Sequence, residues 1–253
     1  MSRELLEAAE ELARVVGTVA LSHYRSVLTV DTKADGSPVT VADRSAEETA
    51  RQWIAARFPD DGILGEEFGE TAGSSGRRWV LDPIDGTKSF VRGVPLWGSL
   101  VAVLEEDRVL AGAAAFPAVG EIIAAAPSEG CWWNGAKSRV SDTAALAGAT
   151  VLVTDERTFT RNAWRDGWHT LAAEAGVARG WGDCYGYLLV ATGRADVMVD
   201  PIVNPWDAAC FLPIITEAGG VFTDLGGAQS PFGTSALATN RALARIVRDY
   251  FDD

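Results

Sequence analysis

Residues 79–90 read WVLDPIDGTKSF. Trp79, Val80 and Leu81 form the apolar end of a buried strand, and Asp82 ends it. Pro83 follows, with a fixed φ and no N–H, which stiffens the turn. Asp82 and Asp85 are then able to project toward one point, with the Ile84 carbonyl between them. In α/β proteins the ends of strands are where ligands bind. Hard oxygen donors at a rigid corner suit Mg²⁺. Gly86 lets the backbone approach a ligand, and with Thr87 it opens a helix whose free amides favour a phosphate. The stretch reads as a metal-plus-phosphate corner. The same residues also make an Asx turn with Asp82 or Asp85 as a helix cap, and a DxxD by itself favours that plainer reading.

Outward from this corner, residues 3–24 place Leu5, Leu12, Val16 and Val19 on one face of an amphipathic helix. A turn-rich loop, TKADGSPVT, leads to a second helix from Thr40 that turns Ala42, Ala46, Thr49, Trp53 and Ile54 inward and stops at Pro59. GILGEE and RRWVLD are strands, WGSLVAVLEEDRVLAGAAAF is a hairpin turned at Glu105–Arg108, and EIIAAA is a further strand. Beyond NGAKSRVS the pattern alternates: strand ATVLVT, helices near 160–175 and 185–193, strand ADVMVD, a helix from Pro205, strands GGVFTD and ALAT, and a final helix. The change near residue 140 divides the chain. Residues 1–140 form an N-terminal α+β domain with most of the candidate metal ligands. Residues 141–253 form a C-terminal α/β domain with one more candidate ligand.

Composition narrows the function. The chain has 253 residues, 47% apolar and 23% charged, with a net charge of −13. No Lys/Arg run offers a footprint for nucleic acid. The first 20 residues carry acids and do not read as a signal peptide. No apolar run approaches the roughly 18 residues of a membrane span. Cys131, Cys184 and Cys210 show no CxxC spacing, which fits a reduced, cytoplasmic setting. His23 and His169, far apart, argue against a zinc site.

Other acids share the setting of Asp82 and Asp85. Glu66 and Glu67 end the strand GILGEE. Asp207 lies in NPWDAAC, where Asn204 is a helix cap and Pro205 the first helical residue. Asp43 lies in TVAD, a capping-box start with Thr40. Each also has a purely structural use: a solvated strand end for Glu66, a first-turn acid for Asp207, and a cap for Asp43.

GEE, WVLDPIDGT and NPWDAA, in this order and spacing, together with SPVTVADR, LVATGRADVMVD and EAGGVFTD, resemble the inositol monophosphatase superfamily of Mg²⁺-dependent phosphomonoesterases. The resemblance covers nearly the whole chain. It implies an α/β (mixed α+β) fold, a layered α-β-α-β-α sandwich of the inositol monophosphatase and fructose-1,6-bisphosphatase type, usually as a homodimer. It also implies two or three Mg²⁺ ions on Glu66, Asp82, the Ile84 carbonyl, Asp85 and Asp207. Gly86 and Thr87 amides would receive the phosphate. Thr87 and Asp43, with Glu66, would activate the attacking water. DPIDGT also resembles the nucleophile motif of haloacid-dehalogenase phosphatases, but its acids stand three apart rather than two, and mid-chain. A non-catalytic metal-binding module is the alternative from another class.

The resemblance implies a small phosphate ester as substrate. The run GDCYGY, with KADGSPVTVADRSAEE, resembles the histidinol-phosphatase branch of that superfamily, which implies hydrolysis of histidinol phosphate in histidine biosynthesis. Asp183 and Asp200 then fall where the leaving group binds, beside Asp85 and Asp207. Two carboxylates suit an ammonium and an imidazole, by charge-assisted hydrogen bonds. Inositol 1-phosphate or a sugar phosphate is the alternative substrate. Asp183 also has a plainer use as a cap before Cys184. The pairs Trp132–Trp133 and Trp164/Trp168 read as packing or interface residues rather than cofactor stacking sites.

Overall fold

The computed structural model describes residues 2–26, 30–32, 38–161 and 163–252. Lys33–Ser37, which carry part of the expected TKADGSPVT loop and of the KADGSPVT resemblance, lie outside the described residues. In chain order the elements are α1 Ser2–His23, β1 Val30–Thr32, β2 Pro38–Thr40, α2 Val41–Arg57, β3 Gly62–Gly65, β4 Gly69–Thr71, β5 Arg77–Asp85 and α3 Thr87–Val91. They continue with β6 Gly98–Glu105, β7 Arg108–Phe116, β8 Glu121–Ala126, β9 Gly130–Trp133, β10 Ala136–Lys137, β11 Thr150–Val153, α4 Arg165–Glu174 and β12 Val177–Arg179. The last are α5 Cys184–Ala191, β13 Val197–Asp200, α6 Pro205–Ala208, α7 Phe211–Glu217, β14 Val221–Thr223, β15 Ala236–Thr239 and α8 Ala244–Arg248.

Among the described residues the strands form a small β1–β2 ladder and two mixed sheets. The larger sheet has the order β10-β9-β8-β7-β6-β5-β3-β4, antiparallel except for β3 beside β5. The smaller has the order β12-β11-β13-β15-β14, parallel at β12-β11-β13 and antiparallel beyond.

Alternation along β6 explains the layering. Val101 and Val103 face a core shared with α1 and α2, where Leu5, Leu12, Val16 and Ile54 are buried. Leu100, Ala102 and Leu104 face a second core shared with Leu188 of α5, Ile214 of α7, and Met198 and Phe222 of the smaller sheet. With both faces covered, the strands read as continuous apolar runs instead of alternating ones. The far side of the smaller sheet packs Val151, Val197 and Leu237 against Trp168 of α4 and Val247 of α8. The result is the expected α-β-α-β-α stack. No helix among the described residues is long and apolar enough to cross a membrane.

Two local expectations change. The helix expected from Pro205 is two helices, α6 and α7. Pro213 lies in the first turn of α7, where its missing N–H costs nothing; in one continuous helix it would break the interior. The helix expected near 160–175 is a 3₁₀ segment, Glu156–Arg161, followed by α4.

Candidate active site

Residues three apart on a regular strand point to opposite faces, so Asp82 and Asp85 should diverge. β5 avoids this with a bulge. Asp82 pairs with Leu100 and Asp85 with Gly98, three residues against two. Pro83, with no N–H to lose, occupies the irregularity, and its carbonyl accepts the Ser99 hydroxyl at 2.7 Å. The one-residue phase shift turns both carboxylates toward one point. The expected turn at Asp82 is therefore a bulge within a strand that continues to Asp85.

Asp207 arrives from the second half of the chain on α6. Its Oδ2 accepts the backbone N–H of the cap residue Asn204 at 2.8 Å. Close approach of this segment to the sheet depends on Gly112, where an added Cβ would stand 2.3 Å from the Cys210 carbonyl oxygen. Ligand atoms of Asp82, Asp85 and Asp207 all lie within 4.8 Å of one another. Glu66, in the turn after β3, stands beside Asp82, and its N–H donates to the Leu81 carbonyl at 3.2 Å.

The electrostatics describe an acid cluster held in a low-dielectric place. Burial first, then the charges of Glu66, Asp85 and Asp207, raise the Asp82 carboxyl well above its ordinary range. Burial, then Asp183 and Asp207, do the same to Asp85. Burial pushes Asp207 up to about 6, against the Asn204 hydrogen bonds. The structural uses considered above are present too. Asp82 Oδ1 accepts the Ile84 N–H at 3.0 Å, and Asp85 Oδ2 accepts the Cys184 N–H at the start of α5. A carboxylate has about four lone-pair sites, so these bonds orient the groups and leave acceptor capacity for a cation. An all-oxygen donor set whose neighbouring charges raise the Asp82 and Asp85 carboxyls fits a hard divalent ion such as Mg²⁺.

Thr87 opens α3 next to this cluster. α3 is too short to stand alone; Phe90 anchors it, with its ring edge-on to Trp97 at 4.9 Å. Gly86 precedes the helix with φ +85°, and a Cβ there would meet the Leu96 carbonyl at 3.0 Å and Asp183 Oδ2 at 3.2 Å. Thr87 Oγ1 donates to the Ile84 carbonyl at 3.0 Å and stands 3.5 Å from Asp43 Oδ1. The other Asp43 oxygen accepts the Thr40 N–H at 2.7 Å, the expected capping box.

Beside the cluster is a cavity of about 100 Å³ lined by Asp85, Asp207, Asp183, Asp200, Thr154 and Tyr187, among others. Asp183 sits at the cap position of α5 but makes no side-chain cap; Asp85 takes that role from across the site. Its N–H donates to Thr154 Oγ1 at 2.9 Å, and its Oδ2 accepts the Ser89 hydroxyl at 3.4 Å. Asp200 is buried, with Thr154 N–H donating to one oxygen at 3.1 Å and the Tyr187 hydroxyl to the other at 2.8 Å. Burial pushes its carboxyl up to about 7. Thr154 and Tyr187 were not singled out from the sequence. Thr154 carries a signal, a polar residue at the end of an apolar strand; Tyr187 closes the GDCYGY run, where the resemblance attaches a role to Asp183 and none to the tyrosines. The tryptophans pack: Trp168 stacks on Phe159, and Trp132 and Trp133 lie under Arg3 and Arg194.

The model of the inositol monophosphatase family matches residues 1–249. A histidinol-phosphatase of Chlorobaculum parvum is 45% identical over 95% of this chain and 93% of its own. One of Mycobacterium tuberculosis is 40% identical over 94% and 92%. The solved structure of the Thermotoga maritima IMPase superposes with a TM-score of 0.89 at 30% identity, covering 98% of this chain and 96% of that one. With a bulged DPID strand, an acid cluster drawn from both halves and a match along almost its entire length, the chain belongs to the inositol monophosphatase family.

Proposed function

We propose that the protein is a Mg²⁺-dependent phosphomonoesterase that hydrolyses histidinol phosphate to histidinol and phosphate, a step of histidine biosynthesis. The observation that carries this reading is one cavity lined both by two members of the acid cluster, Asp85 and Asp207, and by two further carboxylates, Asp183 and Asp200. The names of three histidinol-phosphatase relatives support the same substrate.

In this reading Glu66, Asp82, Asp85, Asp207 and the Ile84 carbonyl hold the metal. When bound, Mg²⁺ supplies charge neutralisation for the phosphoryl oxygens and acidifies the attacking water. The Gly86 and Thr87 amides receive the phosphate. The Thr87 hydroxyl turns its hydrogen from Ile84 to Asp43, so that a lone pair faces the water, accepts a hydrogen bond from it and orients it. Water oxygen bonds to phosphorus as the bond to the histidinol oxygen breaks; the water's proton passes through the Thr87 hydroxyl to Asp43, and the histidinol oxygen takes up a proton from solvent. Asp183 and Asp200 hold the ammonium and imidazole of the leaving alcohol by charge-assisted bonds. Residues 1–140 thus supply most of the metal site, and residues 141–253 supply recognition and Asp207.

Parallel turnover of histidinol phosphate, inositol 1-phosphate and fructose 1,6-bisphosphate tests the reading. Histidinol phosphate should show the highest kcat/KM, and Asp85→Asn should remove most activity on all three. A preference for inositol 1-phosphate would move the substrate assignment; phosphate release independent of Mg²⁺ would overturn the metal assignment.

A further inference from the structure

We infer that Glu47 is a positioning residue for Glu66, clamping the turn that carries it; this rests on reading Glu66 as a metal ligand. Glu47 is fully buried on α2, one helical turn after Asp43 and on the same face. Its Oε2 accepts the Glu67 N–H at 2.7 Å, and its Oε1 accepts the Phe68 N–H at 3.2 Å. Arg51, a further turn along, donates its Nε–H to Glu47 at 2.8 Å. The same guanidinium reaches Thr71 Oγ1 at 3.0 Å and the Gly69 carbonyl, and lies over the Phe68 ring. The β3–β4 turn is therefore held at two of its amides and along its returning strand by one ion pair.

Gly65 completes the fit. A Cβ there would stand 2.0 Å from Glu47 Oε1, so the carboxylate fills the space a side chain would take. On its other side the turn is tied to β5 by the Glu66 N–H to the Leu81 carbonyl. Glu66 is thus pinned between the strand that carries Asp82 and the helix that carries Asp43. A buried ion pair is a poor source of net stability, because desolvation offsets its attraction. What this one supplies is geometry: it fixes the spacing between Glu66 and the Asp43–Thr87 pair.

Calorimetric titration with MgCl₂ alone, without substrate, tests the clamp. Supporting partners of metal ligands typically alter affinity tenfold to a hundredfold. Glu47→Gln should weaken Mg²⁺ binding by roughly that range. KM for the substrate at saturating Mg²⁺ should stay near wild type, and the Glu67 and Phe68 amides should exchange faster. Glu66→Gln should weaken Mg²⁺ as well, and Glu47→Gln/Glu66→Gln should be no weaker than Glu66→Gln, because both act through one group. Arg51→Lys, which keeps the charge and loses the hydrogen bonds to β4, should give a smaller loss in the same direction, and decides the matter if Glu47→Gln does not fold. Unchanged Mg²⁺ affinity in a folded Glu47→Gln or Arg51→Lys protein, or additive losses in the double variant, overturns the clamp. Wild-type affinity in Glu66→Gln overturns instead the ligand reading of Glu66 on which it rests.

Discussion

Asp183 adopts φ 49° and ψ −154°, a backbone region nearly restricted to glycine. Holding a side chain there costs about 1–3 kcal/mol, and such strain persists where the surroundings over-determine it. Three contacts do so: Thr154 accepts its N–H, Gly86 packs against its Cβ, and Ser89 meets its carboxylate. A strained residue facing a cavity with its carboxyl is one kept for its side chain. Asp183→Gly separates the two effects. Release of strain outweighs the added unfolded-chain entropy of about 0.4–1 kcal/mol, so the melting temperature should hold or rise. Loss of a charge-assisted bond of about 1.5–3 kcal/mol should lower kcat/KM for histidinol phosphate roughly tenfold to a hundredfold. Inositol 1-phosphate, lacking the ammonium, should be spared. A lower melting temperature with equal losses on both substrates would make Asp183 a structural residue. Its identity as an acid was legible in GDCYGY, but its strain was not, because φ there is fixed by Thr154 and Gly86 from distant parts of the chain.

At the scale of elements, the pivot is the junction of α6 and α7. Asp207 reaches the acid cluster because Cys210, between the two helices, rests on the backbone of β7 at Gly112. Gly112→Ala would put a methyl group 2.3 Å from the Cys210 carbonyl oxygen, so the junction must move away from the sheet. Overpacking of this kind costs about 1–3 kcal/mol. The urea midpoint should fall, and Mg²⁺ affinity should fall with it, because Asp207 lies three residues before the contact. Destabilisation with unchanged Mg²⁺ affinity would show that α6 holds its place without this contact. The sequence made the long elements plain, since α1, α2, β6 and β7 carry enough residues to show a period or an apolar run. It hid the bulge in β5, because the phase shift between Asp82 and Asp85 exists only relative to the partner strand β6. It also hid short strands such as β4 and β12, three residues each, which are too brief for any alternation to register. Glu47 was invisible for a related reason: on α2 it reads as one more polar helical residue.

Across the whole molecule, two sheets and three helical layers bring acids from residues 66 to 207 together, at an electrostatic cost to the protein without metal. Asp82 and Asp85 are raised well above their ordinary range, Asp207 to about 6 and Asp200 to about 7, in each case first by burial. An unfolded Asp titrates near 3.9. Between about pH 4 and 7 the folded chain therefore binds more protons than the unfolded one, and stability falls as pH rises. Their contribution is full below about pH 4 and is lost as pH passes through the folded values. A divalent ion such as Mg²⁺ held by the cluster would compete with those protons, so its stabilising effect should grow in the same direction. At a hundred times its dissociation constant a ligand adds about 2.7 kcal/mol, or roughly 5–10 °C for a chain of this size. Thermal melts with EDTA should show a lower melting temperature at pH 8 than at pH 5.5. With MgCl₂ the rise should be several degrees at pH 8 and much smaller at pH 5.5. Asp82→Asn, which removes one charge from the centre of the cluster, should flatten the pH dependence in EDTA and shrink the Mg²⁺ response together. A metal-free protein whose stability rises through this window would mean that the cluster is already neutralised by groups of the protein, and the case for a divalent ion would lose its electrostatic ground.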